Sequence, residues 1–357
     1  MKPTTIVCLA AWAGVCCLFA FASTGCSRTA TKTSTTTDSA QSGTTPANDS
    51  TPASSFAYGS DVSWVTEMED SGYQFYNNSG VQQSLFTILS GKGINAIRLR
   101  VWVNPSSGWC NTTDVVNKAL SAKAAGMKIL IDFHYSDTWA DPGDQTVPAA
   151  WANETFTQLV ATVNSYTQGV LDTLQQNGIT PTWVQVGNET NNGMLWPDGD
   201  ASTSMQQYAA LVTSGYNATK TVFPSCKVIV HLANGYDSTD FEWLFDGLKA
   251  NGASWDIIGM SLYPTAGNYA TYDAECQANM QLMQSRYNKQ VMVCEVGFPE
   301  NDPTDAEAFL KDIIGKTRAV GGLGVFYWEP ECYNNWQGYG LGAFGSNGQP
   351  TAAMNAF

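Results

Sequence analysis

The sequence predicts a single α/β domain, a (β/α)8 TIM barrel, and three features predict it. From residue 56 onward, short apolar runs alternate with longer amphipathic stretches, eight times over. Gly126, Gly178 and Pro224 break those stretches just before the next run begins. Polar side chains gather at the C-terminal ends of the runs and not at the other ends. Strand–helix alternation implies parallel strands joined by right-handed crossovers, and eight such units close into a barrel. A doubly wound open sheet is the competitor, but no glycine-rich phosphate loop follows any strand.

The chain opens with Lys2 and a nearly unbroken apolar run over 6–22, so residues 1–25 read as a secretory signal peptide. Ser23-Thr24-Gly25-Cys26 resembles a bacterial lipoprotein processing site, with Cys26 lipidated, although Ser23 stands where an aliphatic residue is usual. Ordinary cleavage after Ala20-Phe21-Ala22 is the alternative. The protein is thus expected to leave a bacterial cell, as a surface lipoprotein or a secreted monomer. Residues 26–55 are almost all Ser, Thr, Ala, Asp, Gln, Gly and Pro. They hold too little apolar surface to offset the entropy of ordering and read as a flexible tether.

Residues 56–357 are the barrel. Strands are expected at 56–60, 96–101, 128–133, 183–186, 227–232, 257–260, 291–294 and 324–328. Helical patterns include 113–125, 155–176, 204–221, 274–287 and 305–320. Barrel chemistry sits at the C-terminal ends of strands. There the sequence places Asp61, then Arg98 with Arg100, Asp132 with His134, Asn188 with Glu189, His231 with Asn234, Ser261 with Tyr263, Glu295, and Trp328 with Glu329.

Composition narrows the partner. A net charge of −14, from 17 basic and 31 acidic residues, excludes a nucleic-acid binder and disfavours anionic polysaccharides. Aromatics make up 12%, with 12 Trp and 15 Tyr, whose flat faces and polar edges suit neutral sugar rings. Of nine cysteines, Cys8, Cys16 and Cys17 lie in the signal. Cys110, Cys226, Cys276, Cys294 and Cys332 remain beyond Cys26, with no metal spacing and no clear disulfide framework, although an oxidising compartment would allow a pair.

Two carboxylates carry the chemistry. WVQVGNET ends the fourth strand with Glu189, and VMVCEVGFP ends the seventh with Glu295. Their strands are taken to lie on opposite sides of the barrel, which sets the two acids face to face. That is the minimal apparatus for breaking a glycosidic bond: one acid gives a proton while the other, ionised, attacks. Arg98 is expected to keep Glu295 ionised, and that anion with burial to raise the pKa of Glu189. Asn188 is placed to meet a sugar hydroxyl beside the reacting carbon.

These motifs resemble family 53 glycoside hydrolases, the endo-β-1,4-galactanases, a branch of the retaining (β/α)8 clan. The resemblance runs from GSDVSW through INAIRLRVWVNP, ILIDFHYSDTWADP, VQVGNE, IVHLANGYD, IIGMSLYP and VCEVGFP to VFYWEP. It implies endo-hydrolysis of β-1,4-galactan, as in type I arabinogalactan, with Glu189 as acid/base and Glu295 as nucleophile. It implies Arg98, His134, Asn188, Tyr263 and Trp328 around the cleavage point, and Asp61, Asp137, Trp139, Trp196, His231 and Asn234 in motifs lining the cleft. It departs from the family at Tyr58, Ala233 and Tyr236. Some bacterial relatives bind calcium after strand seven. Here that loop is short, so Asp302 and Asp305 read as helix-start residues and no cofactor is expected.

Plainer readings set other residues aside. His134 and His231 are the only histidines, without zinc spacing. Trp139 and Trp196 lie in loops and are assigned to sugar stacking, whereas Trp64, Trp102 and Trp109 are assigned to packing. Glu329 and Glu331 read as supporting or loop charges, because strand eight is not taken to face strand four. Another neutral β-glycan, mannan or β-glucan, is the alternative substrate. A non-catalytic glycan-binding lipoprotein is disfavoured by the presence of both acids.

Overall fold

The computed structural model describes residues 56–357; the expected signal, the tether and Cys26 lie outside the described residues. Eight parallel strands close in sequence order: β1 Ala57–Asp61, β2 Ala96–Val101, β3 Lys128–Phe133, β4 Trp183–Val186, β5 Lys227–Leu232, β6 Ile257–Leu262, β7 Gln290–Val296 and β8 Gly324–Trp328. Around them run α1 Val65–Asp70, α2 Leu85–Gly91, α3 Thr112–Ala124, α4 Phe156–Gln176, α5 Ala201–Val222, α6 Ser238–Ala250, α7 Tyr269–Tyr287 and α8 Pro303–Ala319.

Local chemistry sets the edges. Thr155 and Gln158 form a reciprocal capping box at the start of α4. Asp302 caps α8 by accepting from the Asp305 amide at 3.3 Å, the helix-start role expected of it. Gly126 and Gly178 turn the chain out of α3 and α4 at φ 72° and 68°, a conformation that costs glycine nothing. The start expected at Ser204 falls on a kink (φ −151°), and α5 begins three residues earlier.

Side chains alternate across each strand, so every strand has an inward and an outward row. The outward rows, such as Ile97, Leu99 and Val101 of β2, pack under the helices in the main core. The inward rows are stratified. Ala57, Ala96, Leu130, Trp183, Ile229, Ile257, Met292, Cys294 and Phe326 fill the lower barrel with apolar atoms. One tier up, the same rows turn polar with Asp61, Arg98, Asp132, Gln185 and His231, all buried. Gly59 makes this filling possible, since a Cβ there would lie 2.1 Å from the Phe326 ring. The five cysteines Cys110, Cys226, Cys276, Cys294 and Cys332 are buried and unpaired. Tyr58 packs outward, 5.1 Å from the Phe56 ring, and Tyr236 stacks on Tyr272 at 4.1 Å.

Candidate active site

Arg98 is the hub of the mouth. It is fully buried on β2, and its guanidinium reaches Asp61 at 2.8 Å, Asp132 at 2.9 Å and Glu295 at 2.7 Å. Its remaining hydrogen bonds go to Asn188 Oδ1 (2.8 Å) and Gln185 Oε1 (3.2 Å). Burial alone would weaken this cation, but Asp132, Glu295 and Asp61 hold it firmly protonated.

Glu295 reaches Arg98 because β7 is bulged. Met260 pairs with Val293 and Ser261 with Glu295, which leaves Cys294 as the extra residue. Cys294 and Glu295 can then both turn inward, which plain alternation forbids. The other carboxylate oxygen accepts from Tyr263 Oη at 2.9 Å.

Glu189 is held differently. The chain leaves β4 through Gly187 at φ 82° and then Glu189 itself at φ 44°. A non-glycine residue in left-handed backbone is strained, and strain of this kind collects at working sites. The Glu189 amide donates to His231 Nδ1 at 3.4 Å, as does Gln185 Nε2 at 3.1 Å, so the ring proton sits on Nε2 facing Ser261 Oγ at 2.8 Å. Burial, then Arg98, pushes His231 well below the usual histidine range and keeps it neutral. Burial, then the Glu295 charge, pushes the Glu189 carboxyl up to about 8. Burial pushes Glu295 up as well, but Arg98 and Tyr263 pull it back. Asp132 and Asp61 add to the rise at Glu295, but its contact with Arg98 favours the anion there rather than at Glu189.

Both acids line one cavity of about 250 Å³, together with His134, Asn188, Tyr263, Trp139 and Trp328. A second cavity, of about 520 Å³, is lined by Trp64, Trp102, Trp139, Trp328 and Tyr339. Trp139 and Trp328 belong to both, so the two form one aromatic cleft.

Several expected contacts are corrected. Asp61 and His231 are fully buried beneath the cavity, where they hold Arg98 and the Glu189 turn and cannot touch a ligand. Asp137 spends its carboxylate on the amides of Asn104 and Ala149, both at 2.9 Å, and so ties two loops together. Trp196 donates its indole N–H to Asn192 O at 3.0 Å and lines neither cavity. Asn234 is an exposed left-handed turn residue at φ 56°, also outside both. His134 does line the smaller cavity, but both ring nitrogens are engaged: Nε2 with Asp132 (3.0 Å), Nδ1 with Trp102 Nε1 and the Ala140 amide (3.2 Å each). The Asn188 amide is similarly occupied, by Arg98 and the Ala140 carbonyl.

Trp64 and Trp102 are buried and packed as expected, and they also wall the larger cavity. Each follows the mouth end of a strand, and that position is the signal that marks them as cavity walls. Glu329 and Glu331 follow β8 in the loop, both fully buried, and Glu329 has the supporting place expected of it, paired with Arg100. In the closed order β8, not β7, stands opposite β4, so the expectation that the strands of Glu189 and Glu295 face each other is corrected: the two acids reach one cavity from strands three places apart, and strand position does not disqualify Glu329. What removes it is depth: it is fully buried, lines neither cavity and pairs with Arg100 below the cleft. Among the described residues, no His, Cys, Asp and Glu group could hold a metal ion.

A (β/α)8 barrel whose mouth brings a carboxyl of raised pKa and an ion-paired one into a single cavity has the layout of a glycoside hydrolase. The chain belongs to glycosyl hydrolase family 53, whose model matches residues 57–357. A probable arabinogalactan endo-β-1,4-galactanase A of Neosartorya fischeri is 36% identical over 308 residues, 79% of this chain and 86% of that one. A solved fungal β-1,4-galactanase superposes with a TM-score of 0.79 at 32% identity, covering 84% of this chain and 98% of the other. The family 53 catalytic domain of Ignisphaera aggregans gives 0.78 at 30% identity, over 86% and 96%.

Proposed function

We propose that this protein is an endo-β-1,4-galactanase that works with retention, using Glu189 as acid/base and Glu295 as nucleophile. One observation carries the assignment of roles. Of the three carboxyls that line the cavity, Asp141, Glu189 and Glu295, only Glu295 pairs with Arg98, and among the described residues no cation pairs with Glu189. The ionised acid is the one able to attack, and the protonated acid is the one able to donate. The galactan substrate rests on the names of the relatives.

In the first step a Glu295 oxygen bonds to the anomeric carbon while the glycosidic C–O bond breaks. The Glu189 proton goes to the leaving oxygen. In the second step the Glu189 carboxylate takes a proton from water as that water attacks the same carbon and releases Glu295. Trp139 and Trp328 wall the reacting ring. The acid must stand by the leaving oxygen, and Glu189 follows β4. The larger cavity lies across the mouth beside β1, β2 and β8, so sugar units before the scissile bond run into it.

Reducing ends released from linear β-1,4-galactan, with mannan and β-glucan assayed beside it, test this reading. Wild type should prefer galactan, and Glu189→Gln and Glu295→Gln should lose activity. An NMR time course that opens on the inverted anomer would sink the retaining assignment.

The N-terminal reading belongs to the same proposal: a signal over 1–25, lipid on Cys26, a tether over 26–55 and a monomeric catalytic domain over 56–357. Mass spectrometry of the mature N-terminus should find a diacylglyceryl Cys26. An unmodified N-terminus at Ser23 would mean secretion without an anchor.

A further inference from the structure

We propose that Arg100 is a positioning residue that sets the tryptophan walls of the larger cavity and acts on substrate only through them. This rests on the reading of the cleft as a galactan site. The geometry begins with three rings around one cation. The Arg100 guanidinium carbon lies 5.0, 5.2 and 4.5 Å from the ring centroids of Trp64, Trp102 and Trp139. Those rings meet one another edge to face, Trp64–Trp139 at 5.5 Å and Trp102–Trp139 at 5.1 Å. All three line the cavity, while Arg100 itself is buried and does not.

The hydrogen-bond accounting points the same way. Arg100 pairs with Glu329 through Nη1, but Nε and Nη2 have no hydrogen-bond partner. A guanidinium carries five N–H donors, and leaving them unmet in a buried site is costly. Ring faces are the remaining electron-rich surfaces within reach, and N–H groups and cations bind them. Burial and the Glu329 charge push the Glu331 carboxyl well above the usual range, which leaves Glu329 as the ion-pair partner of Arg100. A buried ion pair kept for stability alone is a poor exchange for apolar packing. As a clamp on three flat rings it has a use that apolar packing lacks, because a planar cation can meet several faces at fixed angles.

The test compares wild type with Glu329→Gln, Arg100→Lys and the double variant Arg100→Met/Glu329→Gln, in which no buried charge is stranded. KM and kcat on linear galactan are read together with the near-UV circular dichroism of the tryptophans. The double variant should raise KM about ten-fold, with kcat within about two-fold and the tryptophan signal reduced. Arg100→Lys keeps the charge but not the fork and should fall between. Glu329→Gln removes the ion pair that anchors Arg100 while the guanidinium stays, so it should raise KM by less than the double variant does. An unchanged KM, or a fall in kcat with KM and the tryptophan signal intact, overturns the proposal. If the double variant does not fold, the same criteria apply to Arg100→Lys. A wild type that leaves galactan uncut sinks the functional reading instead; the dichroism of the variants then still decides whether Arg100 sets the rings.

Discussion

Arg98 and Arg100 stand two residues apart on β2, on the same inward row and equally buried, yet their surroundings have little in common. Arg98 is ringed by Asp61, Asp132 and Glu295. Arg100 has a single ion pair, with Glu329, and three indole rings. The first arrangement fixes where charge resides in the cleft. The second fixes the shape of its wall. Two hydrogen-bonded paths join them: Trp102 donates to His134, whose other nitrogen reaches the Asp132 held by Arg98, and the Arg100 amide donates to Ser63, whose hydroxyl donates to the Asp61 held by Arg98. A single strand thus presents both chemistry and fit, one tier apart.

The comparison can be broken at its charged end first. Glu295→Ala should lower kcat by roughly 10⁴-fold or more, because no other group can form the bond to the sugar. Near-full activity would remove Arg98's partner from the mechanism. Arg98→Lys should lower kcat by roughly 10²–10³-fold, since a point charge cannot serve several acceptors at once. It should also move the acid limb of the kcat/KM profile upward, as Glu295 loses part of the cation that favours its anion. If Arg98→Lys raised KM alone, as Arg100→Lys is expected to, the division of labour would collapse.

The pH dependence is the next test. The acid role proposed for Glu189 requires its proton, so kcat/KM should fall as pH rises through about 8. The sign for stability follows from the same shift. Glu189 binds its proton more tightly folded than unfolded, so wild type loses stability as pH climbs from 4.5 toward about 8. Glu189→Gln escapes that loss, and its melting temperature should exceed wild type's by a margin that widens over this window. A constant margin would mean that the carboxyl titrates normally. The smallest effect is expected for Trp196→Ala, which should leave KM on galactan within about two-fold, because that ring lines neither cavity.

Much of this was legible in the chain. β2, β3, β4, β5 and β8 run over the residues that their apolar runs predict, because glycines and prolines bound them sharply. The pairing of Glu189 with Glu295, and of Arg98 with Glu295, was also readable from strand ends. Depth was not. Asp61 and His231 end strands just as Glu189 and Trp328 follow or end theirs, but staggered strands put equivalent sequence positions at different heights, and these two lie below the cavity floor. The bulge at Cys294 was hidden as well, since an extra residue in a ladder leaves no mark in hydrophobic alternation. The two walls Trp64 and Trp102 were missed for a related reason: an indole can pack and face a cavity at once, and composition cannot tell which side is which.

The seam between β1 and β8 has a consequence for how the protein comes into being. Five registered pairs, from Ala57 with Gly324 to Asp61 with Trp328, join the first strand of the barrel to the last. Trp328 walls both cavities, and Glu329, one residue later, anchors Arg100. A nascent chain therefore carries both Glu189 and Glu295 well before it has a cleft to put them in. Activity is the last property the protein acquires during synthesis, arriving only when its eighth strand has left the ribosome and found its first.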